Sequence, residues 1–224
     1  MLRDRSSVDI SEFLRYLASH PEAESGLPSL NELSRDLGIS LAALREQLEV
    51  ARALGLVEVR PRTGTRRLPF SFTPAVRQSL RYALALDDSN FHNFAELRNH
   101  IETAYWNEAV CKLTETDKTE LNELIRRARV KLAADPPLVP HEEHRKLHLL
   151  IYSRIDNPFV TGLIEAYWDA YEAVGLNLYA GGMDYLNQVW GYHAEMVECI
   201  CNGTYDAGRE VLIKHVDLLA HRPS

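Results

Sequence analysis

Long apolar runs are missing from this 224-residue chain. No stretch of about 18 apolar residues occurs, so a membrane-spanning helix is not expected. The opening MLRDRSSVDISEF lacks an apolar segment followed by small residues, so no Sec signal is expected either. Cysteine is scarce, with only Cys111, Cys199 and Cys201. Three thiols are too few for a disulfide framework, and the odd count suits a reducing, cytoplasmic location. Cys199 and Cys201 also lack the C-x-x-C spacing of a redox or zinc pair. Internal repeats and low-complexity tracts are absent. With 46% hydrophobic and 25% charged residues, the chain is not a disordered one.

Acidic residues are in excess overall, with a net charge of −7. The excess is uneven. Residues 1–77 carry 11 basic and 10 acidic side chains, and the rest carries 14 and 22. Within residues 50–82, seven arginines face one acid, Glu58. A local basic patch before an acidic remainder suggests two domains with different partners. A solvated arginine-rich loop would look the same on charge alone.

Apolar spacing in the first 70 residues reads as three helices and a hairpin. Ile10, Phe13, Leu14 and Leu17 share one helix face. Ser29-Leu30-Asn31-Glu32 is a capping box that starts a short helix bearing Leu30, Leu33 and Leu37. Gly38 ends it, and Ser40 caps the next helix, residues 40–54, with Leu44, Leu48, Ala51 and Leu54 inward. Two helices around a glycine turn form a helix-turn-helix, whose second helix offers its first residues to base edges. Those residues are Ser40, Leu41, Ala42, Arg45 and Glu46. Residues 56–60 then alternate as a strand, 61–64 turn, and 65–68 return. That hairpin, with Arg60, Arg62, Arg66 and Arg67, matches the wing of a winged helix, where Arg neutralises phosphate or enters the minor groove.

From about residue 75 the pattern is helical throughout, with no alternating runs. Helices are expected over 75–87, 90–113, 117–134, 140–155, 157–179, 184–202 and 204–221. The predicted fold is therefore mainly α. Residues 1–70 form a winged helix-turn-helix of three helices plus a β-hairpin wing, 71–76 a linker, and 77–224 an all-helical bundle. Six of the nine histidines fall in the last 84 residues. His144 and His148 are i, i+4 on one helix, with His193 and His215 on later helices. Such a set can build a metal site inside a bundle, and imidazole suits Zn, Ni, Cu or Fe. Spacing alone leaves two alternatives open, a solvated histidine face and separately satisfied core histidines.

This order of parts resembles the GntR family of bacterial transcription regulators, in its FadR-like branch with an FCD effector domain. The resemblance rests first on Leu30-x-Glu32-Leu33-Ser34-x-x-Leu37-Gly38-Ile39-Ser40, Leu44-Arg45-Glu46-x-Leu48, Gly55-Leu56-Val57 and the wing Gly64. In the second part it rests on Glu96-Leu97-Arg98-x-x-Ile101-Glu102, Leu147-His148, Asn157-Pro158, His193, Gly203, Ala207 and His215. The resemblance implies a homodimer on double-stranded operator DNA. It also implies a small carboxylate effector bound near a divalent metal. The family's metal ligands, an Asp and three His, fall here on His144, His148, His193 and His215, so His stands in the Asp position. That departure either gives a four-histidine site, which favours Zn or Ni over harder metals and is the leading expectation, or weakens the site.

The family's effector arginine falls on Arg98, with Glu102 beside it. A guanidinium suits a carboxylate, but Arg98 and Glu102 could instead pair with each other at i, i+4. Tyr105, Trp106, Tyr152, Tyr167 and Trp190 are candidates for the cavity wall or for core. For DNA the expected contacts are Ser29, Ser40, Leu41, Arg45, Arg52, Arg62, Gly64, Arg66 and Arg67. Leu41 and Asn31 stand where many relatives carry basic residues, so base contacts differ from the common family pattern. The leading expectation is a ligand-responsive regulator, a repressor released by its acid, and not an enzyme. A metal sensor is the alternative. A metal-dependent hydrolase is remote, since Glu143 and Glu195 are the nearest candidates for a general base.

Overall fold

A computed structural model describes residues 10–24, 26–60, 64–174 and 182–220. Arg62 lies outside them. The chain divides into two compact units, Met1–Gln78 and Ser79–Ser224.

The first unit holds α1 (Glu12–Ser19), α2 (Leu30–Leu37), α3 (Leu41–Ala53) and two antiparallel strands, β1 (Val57–Arg60) and β2 (Gly64–Arg67). A single 3₁₀ turn, Pro21–Glu24, follows α1. The caps are where local chemistry puts them. Ser29 accepts from the Glu32 amide while the Glu32 carboxylate accepts from Ser29, which closes the capping box. Gly38 takes the left-handed conformation at φ +66°, cheap only without a Cβ, and its N–H returns to the end of α2. Ser40 accepts from the Ala43 amide at 3.2 Å and starts α3. Across the turn, Ser34 donates its hydroxyl to the Ile39 carbonyl at 2.6 Å, holding α2 and α3 at a set angle.

The core of this unit is Phe13, Leu17, Leu33, Leu44, Leu48, Ala51 and Val57, one face from each helix and one strand residue. Each of the large side chains contributes roughly 1.5–3 kcal/mol by leaving water. Gln47 of α3 accepts from the Phe13 amide at 2.9 Å, tying α1 to α3. The hairpin pairs Val57 with Arg67 and Arg60 with Gly64. Leu68 donates its amide to the Leu56 carbonyl at 2.9 Å, extending the pairing past the strand ends.

Helix α4 (Thr73–Leu86) carries the boundary between the units. The second unit continues with α5 (Asn90–Val110), α6 (Glu115–Leu132), α7 (His141–Ile151), α8 (Pro158–Val174), α9 (Met183–Asn202) and α10 (Tyr205–Ala220). No strand occurs here among the described residues. Several ends differ from the sequence expectation, among them α5, which stops at Val110 rather than at residue 113. Helix α4 starts at Thr73, inside the segment read as linker. Helix α6 starts at Glu115, because Thr114 and Asp117 form a second capping box. Helix α7 stops at Ile151, and Tyr152 turns its hydroxyl to the Glu102 carbonyl at 2.8 Å.

Two contacts fix α10. Trp106 of α5, fully buried, donates its indole N–H to the Tyr205 carbonyl at 2.8 Å. Gly208 lies so near this ring that a Cβ there would sit 2.8 Å from Trp106 and 3.1 Å from Cys199. The missing side chain lets α10 approach α5 and α9, and that approach carries His215 into the bundle.

Candidate metal centre

His144 and His148 lie one turn apart on α7, with ring centroids 5.1 Å apart. The bundle brings His193 of α9 and His215 of α10 against them. The His193 and His215 centroids are 4.4 Å apart, and those of His144 and His193 are 4.7 Å apart. One nitrogen from each ring lies within 4.8 Å of the other three. All four rings are buried. A solvated histidine face is thereby excluded.

Nor do all of them find partners, as separately satisfied core histidines would. Buried polar atoms normally have partners. Here neither nitrogen of His215, nor Nδ1 of His193, has a hydrogen-bond partner among the described residues. Nε2 of His148 meets Nε2 of His193 at 3.2 Å. Two nitrogens at about 2.0–2.1 Å from one ion stand roughly that far apart. Burial, then the neighbouring rings and Arg98, hold all four histidines well below their usual pKa. They are neutral at pH 7, the form that ligates metal. The donor set therefore fits a divalent transition metal.

Around the rings stands a second layer. The Nδ1 of His148 lies 3.1 Å from the Glu102 carboxylate, the arrangement that orients a ligating histidine. Glu102 also accepts from Nε of Arg98 at 2.7 Å, and both side chains are buried. The i, i+4 pair open from the sequence is formed. Burial pushes the Glu102 carboxyl up to about 7, with Arg98 pulling the other way. Arg98 further reaches Nδ1 of His148 at 2.8 Å and Asn99 at 3.0 Å. Its guanidinium lies over the rings of Tyr167 and Trp168, 4.8 and 5.1 Å from their centroids.

Of the aromatic candidates, Tyr167 and Trp190 belong to this wall, with Trp190 4.9 Å from the His193 ring. Tyr152 supports Glu102 from behind, Trp106 is core, and Tyr105 accepts from Asn157. Trp168, Phe91 and Tyr171 were not singled out from the sequence, yet Trp168 lies 4.7 Å from the His144 ring. Their spacing on α8, Tyr167-Trp168 and Tyr171, was the available signal. Glu143 is tied to Lys131 at 2.8 Å, and Glu195 is exposed, so neither stands ready as a general base.

The DNA-facing candidates lie on the other unit. Arg45 and Arg52 are exposed on α3, and Leu41 is half-buried. Arg52 pairs with Glu49 at 2.6 Å. On the hairpin, Glu58 takes both Arg60 and Arg66, at 2.9 and 2.7 Å. Arg45 has no ion-pair partner among the described residues. Arg67 is half-buried and Gly64 exposed on β2. Ser29 and Ser40 are exposed at helix N-termini, where backbone N–H groups favour a phosphate.

The FCD domain family matches residues 93–218, more than half of the chain and all four histidines. The chain is similar to YieP of Escherichia coli strain K12, described as an uncharacterized HTH-type transcriptional regulator. The identity is 29% over 165 residues, covering 70% of each chain. Among solved structures it resembles the Streptococcus agalactiae GntR protein, with a TM-score of 0.67 at 19% identity. That match covers 92% of this chain and 95% of the other, and at this identity it concerns the fold. No helix among the described residues is long and apolar enough to cross a membrane.

Proposed function

This chain belongs to the GntR family of transcription regulators and carries its FCD effector domain, and on that premise we propose that it is a repressor released by a small organic acid. The observation that carries the reading is the buried cluster of His144, His148, His193 and His215, with Arg98 against it. These four histidines would hold a divalent transition metal, Zn or Ni. Such a metal supplies a Lewis-acid attachment for a carboxylate oxygen. Arg98 offers a fork for the acid and Glu102 orients His148 and Arg98.

On DNA, α3 would lie in the major groove with Arg45 toward the bases or phosphates, and Arg66 and Arg67 of the wing on the backbone. Ser29 and Ser40 would meet phosphate through their helix ends, with Leu41, Arg52, Arg62 and Gly64 completing the surface. As a homodimer the protein would place two α3 helices about one DNA turn, roughly 34–36 Å, apart. Acid binding would favour a different arrangement of the two DNA-binding units, which requires unequal affinity for the two states.

The test is duplex binding to the DNA upstream of the protein's own gene, in the metal-loaded form. Binding that weakens steeply with salt, and again with added acid, is the expected result. Absence of salt-sensitive binding contradicts the reading. One observation favours a second reading, in which the metal itself is the signal. Four protein ligands can close a tetrahedral zinc site and leave no position for an acid. In that case DNA affinity follows free metal and ignores the acid.

A further inference from the structure

One face of the hairpin is laid out around a single carboxylate. Glu58 and Arg60 stand two residues apart on β1 and so share a face. The register sets Arg66 of β2 directly across from Glu58, on that same face. Each carboxylate oxygen then takes one arginine. Oε1 accepts from Nε of Arg60 at 2.9 Å, and Oε2 accepts from Nε of Arg66 at 2.7 Å. All three side chains reach solvent. The bonds from Arg60 and then Arg66 hold the Glu58 carboxyl below the usual carboxylate range, so it is charged at neutral pH. Val57 and Arg67, the next pair along, turn to the opposite face, where Val57 joins the core.

This trio adds little to folding, because exposed ion pairs seldom do. Its effect is on what the arginines can reach. Two guanidiniums converging on an anion with two oxygens is also the geometry a DNA phosphate would meet. Glu58 fills that place with an anion of the protein's own. It lowers the charge of the trio from +2 to +1. A phosphate that takes either arginine must displace the carboxylate, which stays tethered beside it as a like charge. Sequence-independent DNA binding consists almost wholly of phosphate contacts, so the exchange weighs most heavily there. Where α3 docks in the groove, the rest of the interface holds a phosphate at the wing, and its high effective concentration drives the exchange. On α3 itself Arg45 has no ion-pair partner among the described residues, so no such exchange precedes its contact with DNA.

Resting on the DNA-binding reading above, we propose that Glu58 is a stand-in for phosphate, which withholds Arg60 and Arg66 from duplex DNA that α3 does not read. Glu58 is then a specificity-determining residue that touches no base. It suppresses idle binding along the genome and leaves recognition to α3.

The experiment is a fluorescence-anisotropy titration of a labelled duplex of scrambled sequence with the full chain, over a series of salt concentrations. Four chains are compared: wild type, Glu58→Gln, Arg66→Ala and the double variant. The substituted side chains face solvent, and equal melting temperatures check that the fold is kept. Glu58→Gln is expected to bind about three- to tenfold tighter near about 0.1 M salt, with a salt slope steeper by about one to two. Arg66→Ala is expected to weaken binding at least about threefold more in the Glu58→Gln chain than in the wild-type chain. That coupling separates the proposal from a general effect of removing one negative charge, for which Arg66→Ala would cost the same in both chains. Unchanged affinity in Glu58→Gln, or equal costs of Arg66→Ala in the two chains, overturns the proposal while the DNA-binding reading stands. If none of the four chains binds the duplex even at low salt, the DNA-binding reading fails and the proposal fails with it.

Discussion

In the N-terminal unit the described candidate contact residues are exposed or half-buried, from Ser29 and Arg45 to Arg66 and Arg67. In the helical unit the six corresponding residues, four histidines with Arg98 and Glu102, are all buried. The first surface works through charges that water already solvates. Its arginines can change partners cheaply, as Arg66 would on leaving Glu58 for a phosphate. The second site works through groups that have lost water and must be satisfied inside the bundle. There, function and folding stability share the same side chains.

The sharpest way to break this contrast is His148→Ala. A four-ligand site is worth of order 10–16 kcal/mol, so losing one ligand should weaken zinc binding by more than about a hundredfold. Competition with a chromophoric chelator measures it, and an unchanged affinity would remove His148 from the ligand set. Leu44→Ala comes next. It should cost about 2–5 kcal/mol, because Leu44 is fully buried in the small core of the first unit. Metal content should stay the same. A joint loss of both would show that the units do not divide the labour as described.

Acid titration of the metal-free protein sharpens the contrast further. The four histidines have folded pKa values below their unfolded value near 6.5. The unfolded chain therefore binds more protons below pH 6.5, and stability falls as pH drops through that range. Glu102 acts oppositely, since its raised pKa of about 7 adds stability that is lost as pH rises from 4.5 to 7. Four groups outweigh one, so the net slope between pH 5 and 6.5 should be positive. Chemical denaturation at a series of pH values checks the sign. The smallest effect on stability is expected for Arg45→Ala, within about 0.5 kcal/mol. Its signature is a salt slope of DNA binding reduced by about one. A large change in melting temperature would mean that Arg45 has a structural role.

What could be read in advance follows from how far each interaction reaches. The caps at Ser29, Gly38 and Ser40 involve residues within five positions, and the local pattern located them. The Thr114–Asp117 box is just as local and was passed over, which misplaced the start of α6 by two residues. The end of α7 depends on a bond from Tyr152 to Glu102, 50 residues away, and nothing local announces it. The shared face of His144 and His148 follows from helical period. Their meeting with His193 and His215 does not; the spacing offered a bundle site as one of several readings, and the family resemblance singled it out. Arg98 and Glu102 were legible as an i, i+4 pair. Their common contact with His148 needed the packing of α5 against α7, and the place of Trp168 needed α8 beside both.

Metal content of the native protein, measured by elemental mass spectrometry beside the His144→Ala/His148→Ala double variant, tests the central claim most directly. About one Zn or Ni per chain, absent from the double variant, is the predicted result. Metal-free wild-type protein that also takes up none on exposure to Zn²⁺ or Ni²⁺ would contradict it.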